Sequence, residues 1–245
     1  MTAYEERTYR VACREQGLKA FTVRVKETDL WIQAREDCSH QALDSILRHR
    51  RGLEAYIEDH PHFLSSLTPL AQDHLAPPLV RSMLAAGLAA GTGPMAAVAG
   101  AMAQAVALDL LSISPQVVVE NGGDIYLALE REATVGLWAG KSPLSGKLGL
   151  KLPASAMPLA VCTSSGTVGP SLSLGRADAA TIVAKDAALA DAAASALGNR
   201  VQNRGDLAGA VEWVAQWIPD ILGAVAVMGD RLAAWGEMEL VELGG

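Results

Sequence analysis

Short apolar runs, some alternating with polar residues and others continuous, recur along this chain and predict more strands than helices. The alternation is clearest at Phe21, Val23 and Val25, which are separated by polar residues as in a half-buried strand. Runs of this kind predict strands over residues 7–13, 18–35 with a turn at 27–29, 116–120, 124–129, 134–138, 147–152, 159–163, 180–184, 223–228, 231–235 and 237–241.

Apolar residues at helical spacing predict five helices. Ser39 is the expected N-cap of a helix of about twenty residues, and Pro94 suits the first turn of another. Helices are predicted over residues 39–58, 79–90, 94–111, 187–197 and 206–218. Because the strands outnumber the helices and mostly follow one another, we predict an α+β fold with mixed, largely antiparallel sheets. No linker divides the pattern, so residues 1–245 are expected to form one domain.

Composition and charge narrow the function classes. Half of the 245 residues are hydrophobic but only 4% are aromatic, so the core must consist of Ala, Val, Leu and Ile, with Ala/Gly-rich helices packed closely on the sheets. A net charge of −7 argues against a nucleic-acid partner.

No membrane partner is expected either. Residues 83–113 are small and apolar, but they are interrupted by glycines and contain Gln104 and Asp109, which fits two buried helices better than one membrane span. The first residues are polar and do not resemble a signal peptide. The cysteines are three in number and far apart in the sequence, so no disulfide framework is implied and a cytoplasmic location is the simplest expectation.

Two strand ends carry residues that suit an anionic or nucleotide-like ligand. The first comprises Asn121, Gly122, Gly123 and Asp124. The second comprises Cys162, Thr163, Ser164, Ser165 and Gly166. Such loops place backbone amides and hydroxyls at a sheet edge, where they can bind phosphate. Ordinary turns with no ligand remain the alternative for both.

Gly93 directly precedes Pro94 and offers a third candidate position. A glycine before a helix leaves the first amides open, and these amides together with the helix dipole favour an anion such as phosphate. A tight connection between two helices, with no ligand, explains the same residues.

Asp191 and Ser195 are four residues apart on a predicted helix, separated only by alanines. This spacing puts a carboxylate and a hydroxyl on one face, and both are oxygen donors of the kind that Mg²⁺ prefers. A simple packing role is the alternative.

Cys162 could act as a nucleophile if neighbouring amides or cations lower the pKa of its thiol. A buried cysteine that packs as a small apolar side chain is the alternative. The sequence contains no recognisable Ser–His–Asp order, Walker A loop or Gly-x-Gly-x-x-Gly fingerprint.

The order of these motifs resembles the ApbE superfamily, whose best-known members are FAD:protein FMN transferases. The matching stretches are Asn121-Gly122-Gly123-Asp124, Thr163-Ser164-Ser165-Gly166 and Ala190-Asp191-Ala192-Ala193-Ala194-Ser195. The resemblance implies an ApbE-like, T-fold-related α+β fold that binds FAD across these loops. It also implies that Asp191 is a Mg²⁺ ligand, with Ser195 where the family has threonine.

The chain departs from the transferase pattern at two places. Residues 91–97 replace an Ala-Lys-Gly stretch, and residues 169–178 lack the His-Ile-Asp-Pro segment of the transferases, which argues against flavin transfer. The combination of Gly-Pro-Met-Ala-Ala-Val-Ala-Gly at 93–100, Glu-Asn-Gly-Gly-Asp at 120–124 and Cys-Thr-Ser-Ser-Gly-Thr-Val-Gly at 162–169 resembles more closely a short cytoplasmic branch of ApbE-related proteins. That resemblance implies a role in sulfide assimilation toward homocysteine.

Three functions therefore stay open. The leading one is a cleft that binds FAD, another flavin or a nucleotide together with Mg²⁺. The second is a sulfur-handling protein, in which Cys162 accepts sulfur from a small donor. The third is a non-catalytic binding or assembly module, with a homo-oligomer formed through Trp213 and Trp217.

Overall fold

The computed structural model of the chain describes residues 17–166 and 174–244. The strand predicted over residues 7–13 lies outside these ranges. Within them the predicted α+β class is confirmed, and the strands of both sheets pair antiparallel with their neighbours.

Eight strands form the large sheet. In their order across the sheet they are β1 (Lys19–Val25), β2 (Thr28–Ala34), β3 (Val117–Asn121), β4 (Asp124–Ala128), β7 (Leu159–Ser164), β8 (Ala179–Ala184), β9 (Ile221–Met228) and β10 (Arg231–Gly236). A smaller sheet has the order β11 (Glu239–Glu242), β6 (Leu148–Leu152) and β5 (Ala133–Gly136). The chain therefore leaves the large sheet after β4 and returns to it at β7.

The helices cover one face of the large sheet. They are α1 (Ser39–Asp59), α2 (His62–Ser65), α3 (Pro78–Ala90), α4 (Val98–Leu110), α5 (Ala187–Arg200) and α6 (Leu207–Trp217). Short 3₁₀ turns occur at Pro94–Ala97, Ala154–Ala156 and Arg204–Asp206.

Two hydrophobic cores lie on opposite faces of the large sheet. Val119 and Ile182 point into the core beneath the helices, whereas Val118 and Val183 point into the core shared with the small sheet. Strands covered on both faces need apolar residues at every position, which explains the continuous runs in β3 and β8.

Two predicted helix starts are corrected. The N-cap of α1 is Cys38 and not Ser39, and the Cys38 side chain makes no capping hydrogen bond. The Asp37 carboxylate accepts the Ser39 amide at 2.9 Å instead. Pro94 begins a 3₁₀ turn, and the α-helix starts only at Val98. A side chain on Gly93 would overlap the Ser66 carbonyl, so the chain enters α4 through a close backbone contact.

Helix α5 extends to Arg200, three residues beyond its predicted end. Gly198 therefore lies inside the helix. A side chain on Gly175 would overlap the Gly198 carbonyl, so these two glycines allow a loop to lie directly on the last turns of α5.

Among the described residues, no single helix has the length and apolar composition needed to cross a membrane. The segments Pro78–Ala90 and Pro94–Leu110 meet these two criteria only when they are taken together, and a bend of 106° separates them.

Candidate functional site

The first predicted strand end is a tight hairpin between β3 and β4. Asn121 pairs with Asp124, and the two residues between them, Gly122 and Gly123, have φ angles of 70° and 110°. Two positive φ angles are what a type I′ hairpin requires, so both glycines have a local reason. The Glu120 carboxylate accepts the Gly123 amide at 2.9 Å and fixes the turn.

The second predicted strand end lies beside the first because β4 pairs with β7. The Thr163 amide donates to Asp124 Oδ1 at 3.2 Å. The Thr163 hydroxyl lies 2.9 Å from that of Thr181 on β8. The two predicted motifs are therefore joined at Asp124 and Thr163.

The start of α4 completes this cluster. The side-chain amide of Asn121 donates through Nδ2 to the Ala99 carbonyl at 3.1 Å. Asp191 Oδ2 accepts the Ala99 amide at 3.1 Å and the Gly100 amide at 2.9 Å. The Ala99 and Gly100 amides at the observed start of α4 are thus capped by a carboxylate of α5, whereas an anion site at the amides that follow Gly93 stays a prediction.

Helices α4 and α5 are in backbone contact at this point. A side chain on Gly100 would overlap the Ala187 carbonyl and come within 2.9 Å of Asp191 Cβ. Gln104, one turn along α4, accepts the Ala187 amide through Oε1 at 2.5 Å. Each helix therefore caps the start of the other.

The cluster contains two neighbouring carboxyl groups, those of Asp124 and Asp191, and both have raised pKa values. Burial, and then the charge of Asp191, raise the pKa of Asp124 well above its usual value. Burial raises the pKa of Asp191 to about 7, although the Gly100 and Ala99 amides act in the opposite direction. Asp191 as a residue is partly exposed, but its carboxyl group is enclosed by these contacts. Such a pair favours a proton or a cation.

Magnesium fits this donor set in part. Asp191 supplies a carboxylate, and Ser195, which is partly buried on the same helix, supplies a hydroxyl. No group of three or more His, Cys, Asp or Glu side chains suited to a metal occurs within residues 17–166 and 174–244. Mg²⁺ commonly takes one or two protein carboxylates and completes its coordination with water and phosphate.

Cys162 is fully buried in β7. Its thiol donates to the Ala187 carbonyl at 3.5 Å. Burial, and then the charges of Asp124 and Asp191, raise the pKa of this thiol well above its usual value. A protonated, enclosed thiol matches the packing interpretation better than the nucleophilic one.

The remaining predicted residues lie along α5 and before α4. Ser164 is the last residue of β7 and lies near Gly198. A Cβ atom added to Gly198 would lie 3.9 Å from the Ser164 hydroxyl. Ser165 and Gly166 follow, and the Gly166 amide donates to the Ala177 carbonyl at 2.9 Å. Gly198 is seven residues beyond Asp191, or about 10 Å along the helix, so these loops line α5 rather than meet at one point. Gly93 packs on Ser66.

Gln104 and the Ala99–Gly100 amides were missed by sequence reasoning. The available signal was that Gln104 is the one polar residue between Gly100 and Leu108 in an Ala-rich helix. The observed cavities gave no guide: one of about 330 Å³ is lined by residues including Arg50, another of about 490 Å³ by residues including Arg35, and neither includes a predicted site residue.

The family follows from comparison with known sequences. A family model described as "AbpE bacteria" matches residues 10–213. A UPF0280 protein of Methanocella arvoryzae is 43% identical over 221 residues, covering 90% of this chain and 89% of its own. Another UPF0280 protein, from Methanosarcina barkeri, is 41% identical and covers 89% of this chain and 87% of its own length. The chain belongs to this ApbE-like family, as the motifs predicted.

Solved structures agree in fold. The ApbE protein of Thermotoga maritima is 14% identical with a TM-score of 0.58, over 90% of this chain and 97% of its own. A variant of the flavin transferase ApbE of Vibrio cholerae is 11% identical with a TM-score of 0.55, over 89% of this chain and 96% of its own. At these identities the likeness shows the fold alone, and that fold is the ApbE-like α+β architecture.

Proposed function

We propose that this protein binds FAD, another flavin or a nucleotide, together with Mg²⁺, along α5 and beside the two strand ends. The observation that carries the proposal is the bonded cluster of Asn121, Asp124, Thr163 and Asp191 at the start of α4. These contacts bring the predicted motifs together beside a buried pair of carboxyl groups.

The electrostatics support a cation in this cluster. When bound, Mg²⁺ would neutralise the carboxylates and offer coordination positions to a phosphate. Asp191 would hold it through a carboxylate oxygen and Ser195 through its hydroxyl. The turn at Gly122 and Gly123 and the stretch Thr163 to Gly166 would then lie beside an anionic ligand, with Gly93 supporting the approach to α4. The Gly123, Thr163 and Gly166 amides already donate within the protein, so they would shape this surface rather than bind the anion directly.

Flavin transfer is not part of the proposal. The lysine and histidine segments that the resemblance associates with transferases are absent from residues 91–97 and 169–178. The name "flavin transferase" belongs to the Vibrio cholerae structure, and we infer binding without that reaction.

The proposal is tested by titrating FAD, ADP and riboflavin with and without Mg²⁺. FAD and ADP should bind more tightly with Mg²⁺, and riboflavin, which has no phosphate, should not respond to the metal. Asp191→Asn should weaken the Mg²⁺-dependent binding about tenfold, or about 1.4 kcal/mol. Asp44→Asn removes an exposed carboxylate on α1 and serves as the control. If neither FAD nor ADP binds at high micromolar concentration, the proposal is wrong.

The alternatives remain hypotheses. The enclosed, high-pKa thiol of Cys162 gives no support to a sulfur carrier or to sulfide assimilation. For an assembly module, Trp217 is 63% exposed, whereas Trp213 is partly buried with Arg200 stacked on it at 3.1 Å, so Trp217 is the more accessible of the two to a homo-oligomer. A cytoplasmic location stays in the proposal because Cys38 and Cys162 are free thiols.

A further inference from the structure

Two hydrogen bonds, one helical turn apart, connect α4 and α5. Gly100 and Gln104 occupy one face of α4, while Ala187 and Asp191 occupy the facing side of α5. Gly100 donates to Asp191, and Gln104 accepts from Ala187. Because both spacings are four residues, the two bonds are in register for antiparallel helices.

We propose that Gln104 is a positioning residue for Asp191. By accepting the first amide of α5, it fixes where that helix begins and therefore where Asp191 lies one turn later. Asp191 then meets the Ala99 and Gly100 amides through Oδ2 alone, which leaves Oδ1 for a divalent cation. The inference rests on the proposed Mg²⁺-dependent function and deepens it.

The geometry explains why a glutamine is suited to this place. Its amide oxygen accepts the Ala187 amide without adding charge beside Asp191, whose pKa burial already raises. The close approach at Gly100 leaves no room for a side chain between the helices. Gln104 is thus the first residue of this face that can reach across.

The experiment compares Gln104→Met, which removes the acceptor but keeps the length, with Gln104→Glu, which keeps an acceptor oxygen. Val214→Ala in α6, a fully buried position far from Gln104 in the sequence, supplies a matched loss of stability. Two quantities are measured on the full chain: hydrogen exchange at the Ala99 and Gly100 amides, and Mn²⁺ binding by electron paramagnetic resonance without nucleotide.

In Gln104→Met we expect exchange at both amides to be about fivefold faster and Mn²⁺ binding about fivefold weaker, as for one lost hydrogen bond. Gln104→Glu should restore the exchange rates, and Val214→Ala should lower the melting temperature without changing the Mn²⁺ affinity. Equal effects in Gln104→Met and Val214→Ala would overturn the inference, because a purely structural role predicts that result.

The two proposals fail separately. If the wild type binds no Mn²⁺ and no nucleotide, the proposed function is wrong, while faster amide exchange in Gln104→Met alone would still support the positioning of Asp191. If the wild type binds Mn²⁺ and exchange is unchanged in Gln104→Met, the role of Gln104 is wrong and the proposed function stands.

Discussion

The Asp191 carboxyl is held between two opposing influences. Burial raises its pKa to about 7, whereas the Gly100 and Ala99 amides stabilise the charged form. In the unfolded chain an aspartate has a pKa of about 4. Between pH ~4 and ~7 the folded protein therefore keeps a proton that the unfolded chain releases.

The sign of this linkage gives the first prediction. As pH rises through that window in the absence of metal, the Asp191 carboxyl should make the free energy of unfolding fall. In Asp191→Asn the fall should be smaller by roughly 1–3 kcal/mol, because the amide has no proton to lose and still accepts a hydrogen bond. Urea unfolding at several pH values in EDTA measures it. Asp44→Asn should follow the wild type, and identical profiles for Asp191→Asn and wild type would contradict the assignment.

Cys162 gives a second prediction at this scale. Since its thiol is fully buried and its pKa is raised, the native protein should resist alkylation there at pH 8. Peptide mapping after iodoacetamide treatment should find Cys162 unmodified in the native protein and modified in urea. Rapid modification of the native protein would revive the sulfur-carrier hypothesis.

Residue types were more predictable than their environments. The sequence pointed to Asp124 and Thr163 because they lie at glycine-containing turns after strands, and to Asp191 because its carboxylate shares a helix face with the Ser195 hydroxyl. It could not show that Cys162 is enclosed or that Gln104 reaches Ala187. Both facts depend on which faces of α4, α5 and β7 meet, and nothing local in the sequence encodes that.

At the scale of elements, the closeness of α4 and α5 depends on one residue. Gly100→Ala would drive a methyl group into the Ala187 carbonyl. We expect it to lower the free energy of unfolding by about 1–3 kcal/mol, as overpacking does, despite the better helix propensity of alanine. Thermal unfolding followed by circular dichroism measures the effect.

Gly209→Ala is the matched control for that prediction. Gly209 lies in α6, and a Cβ there has nothing within 4 Å. This change should raise stability by about 0.5–1 kcal/mol from propensity alone. If Gly100→Ala is stabilising to the same degree, the helices are not in the contact described.

The hairpin and the start of α4 show what local sequence can and cannot predict. Asn121-Gly122-Gly123-Asp124 predicted a turn correctly because Gly-Gly accepts the positive φ angles of a two-residue hairpin. Pro94 was a misleading signal, since proline suits a 3₁₀ turn as well as an α-helix. The close contact between Gly93 and Ser66 just before this turn is a tertiary feature that the local sequence does not show.

For the whole molecule, the class was predictable and the strand order was not. Successive strands favour antiparallel pairing, which the sequence indicated. The pairing of β4 with β7, and the capture of β11 by β6, join segments far apart in the chain. These pairings follow from the second hydrophobic core, where both sheets bury apolar residues at once.

That shared core leads to a prediction about the unit of folding. If residues 1–245 form one domain, both sheets should unfold in a single transition, with calorimetric and van't Hoff enthalpies that agree. Leu150→Ala in β6 removes a fully buried side chain from the shared core. It should lower the stability of the whole molecule by about 2–5 kcal/mol while leaving one transition.

Leu75→Ala is the control, because Leu75 is 97% exposed and its loss should leave the melting temperature unchanged. Differential scanning calorimetry of the three proteins distinguishes the possibilities. A second transition in Leu150→Ala, with the original one unmoved, would mean that the small sheet folds independently. A single transition at a lower temperature would mean that the two sheets unfold together. The cluster around Asp191 would then lose stability whenever the core shared by the two sheets does.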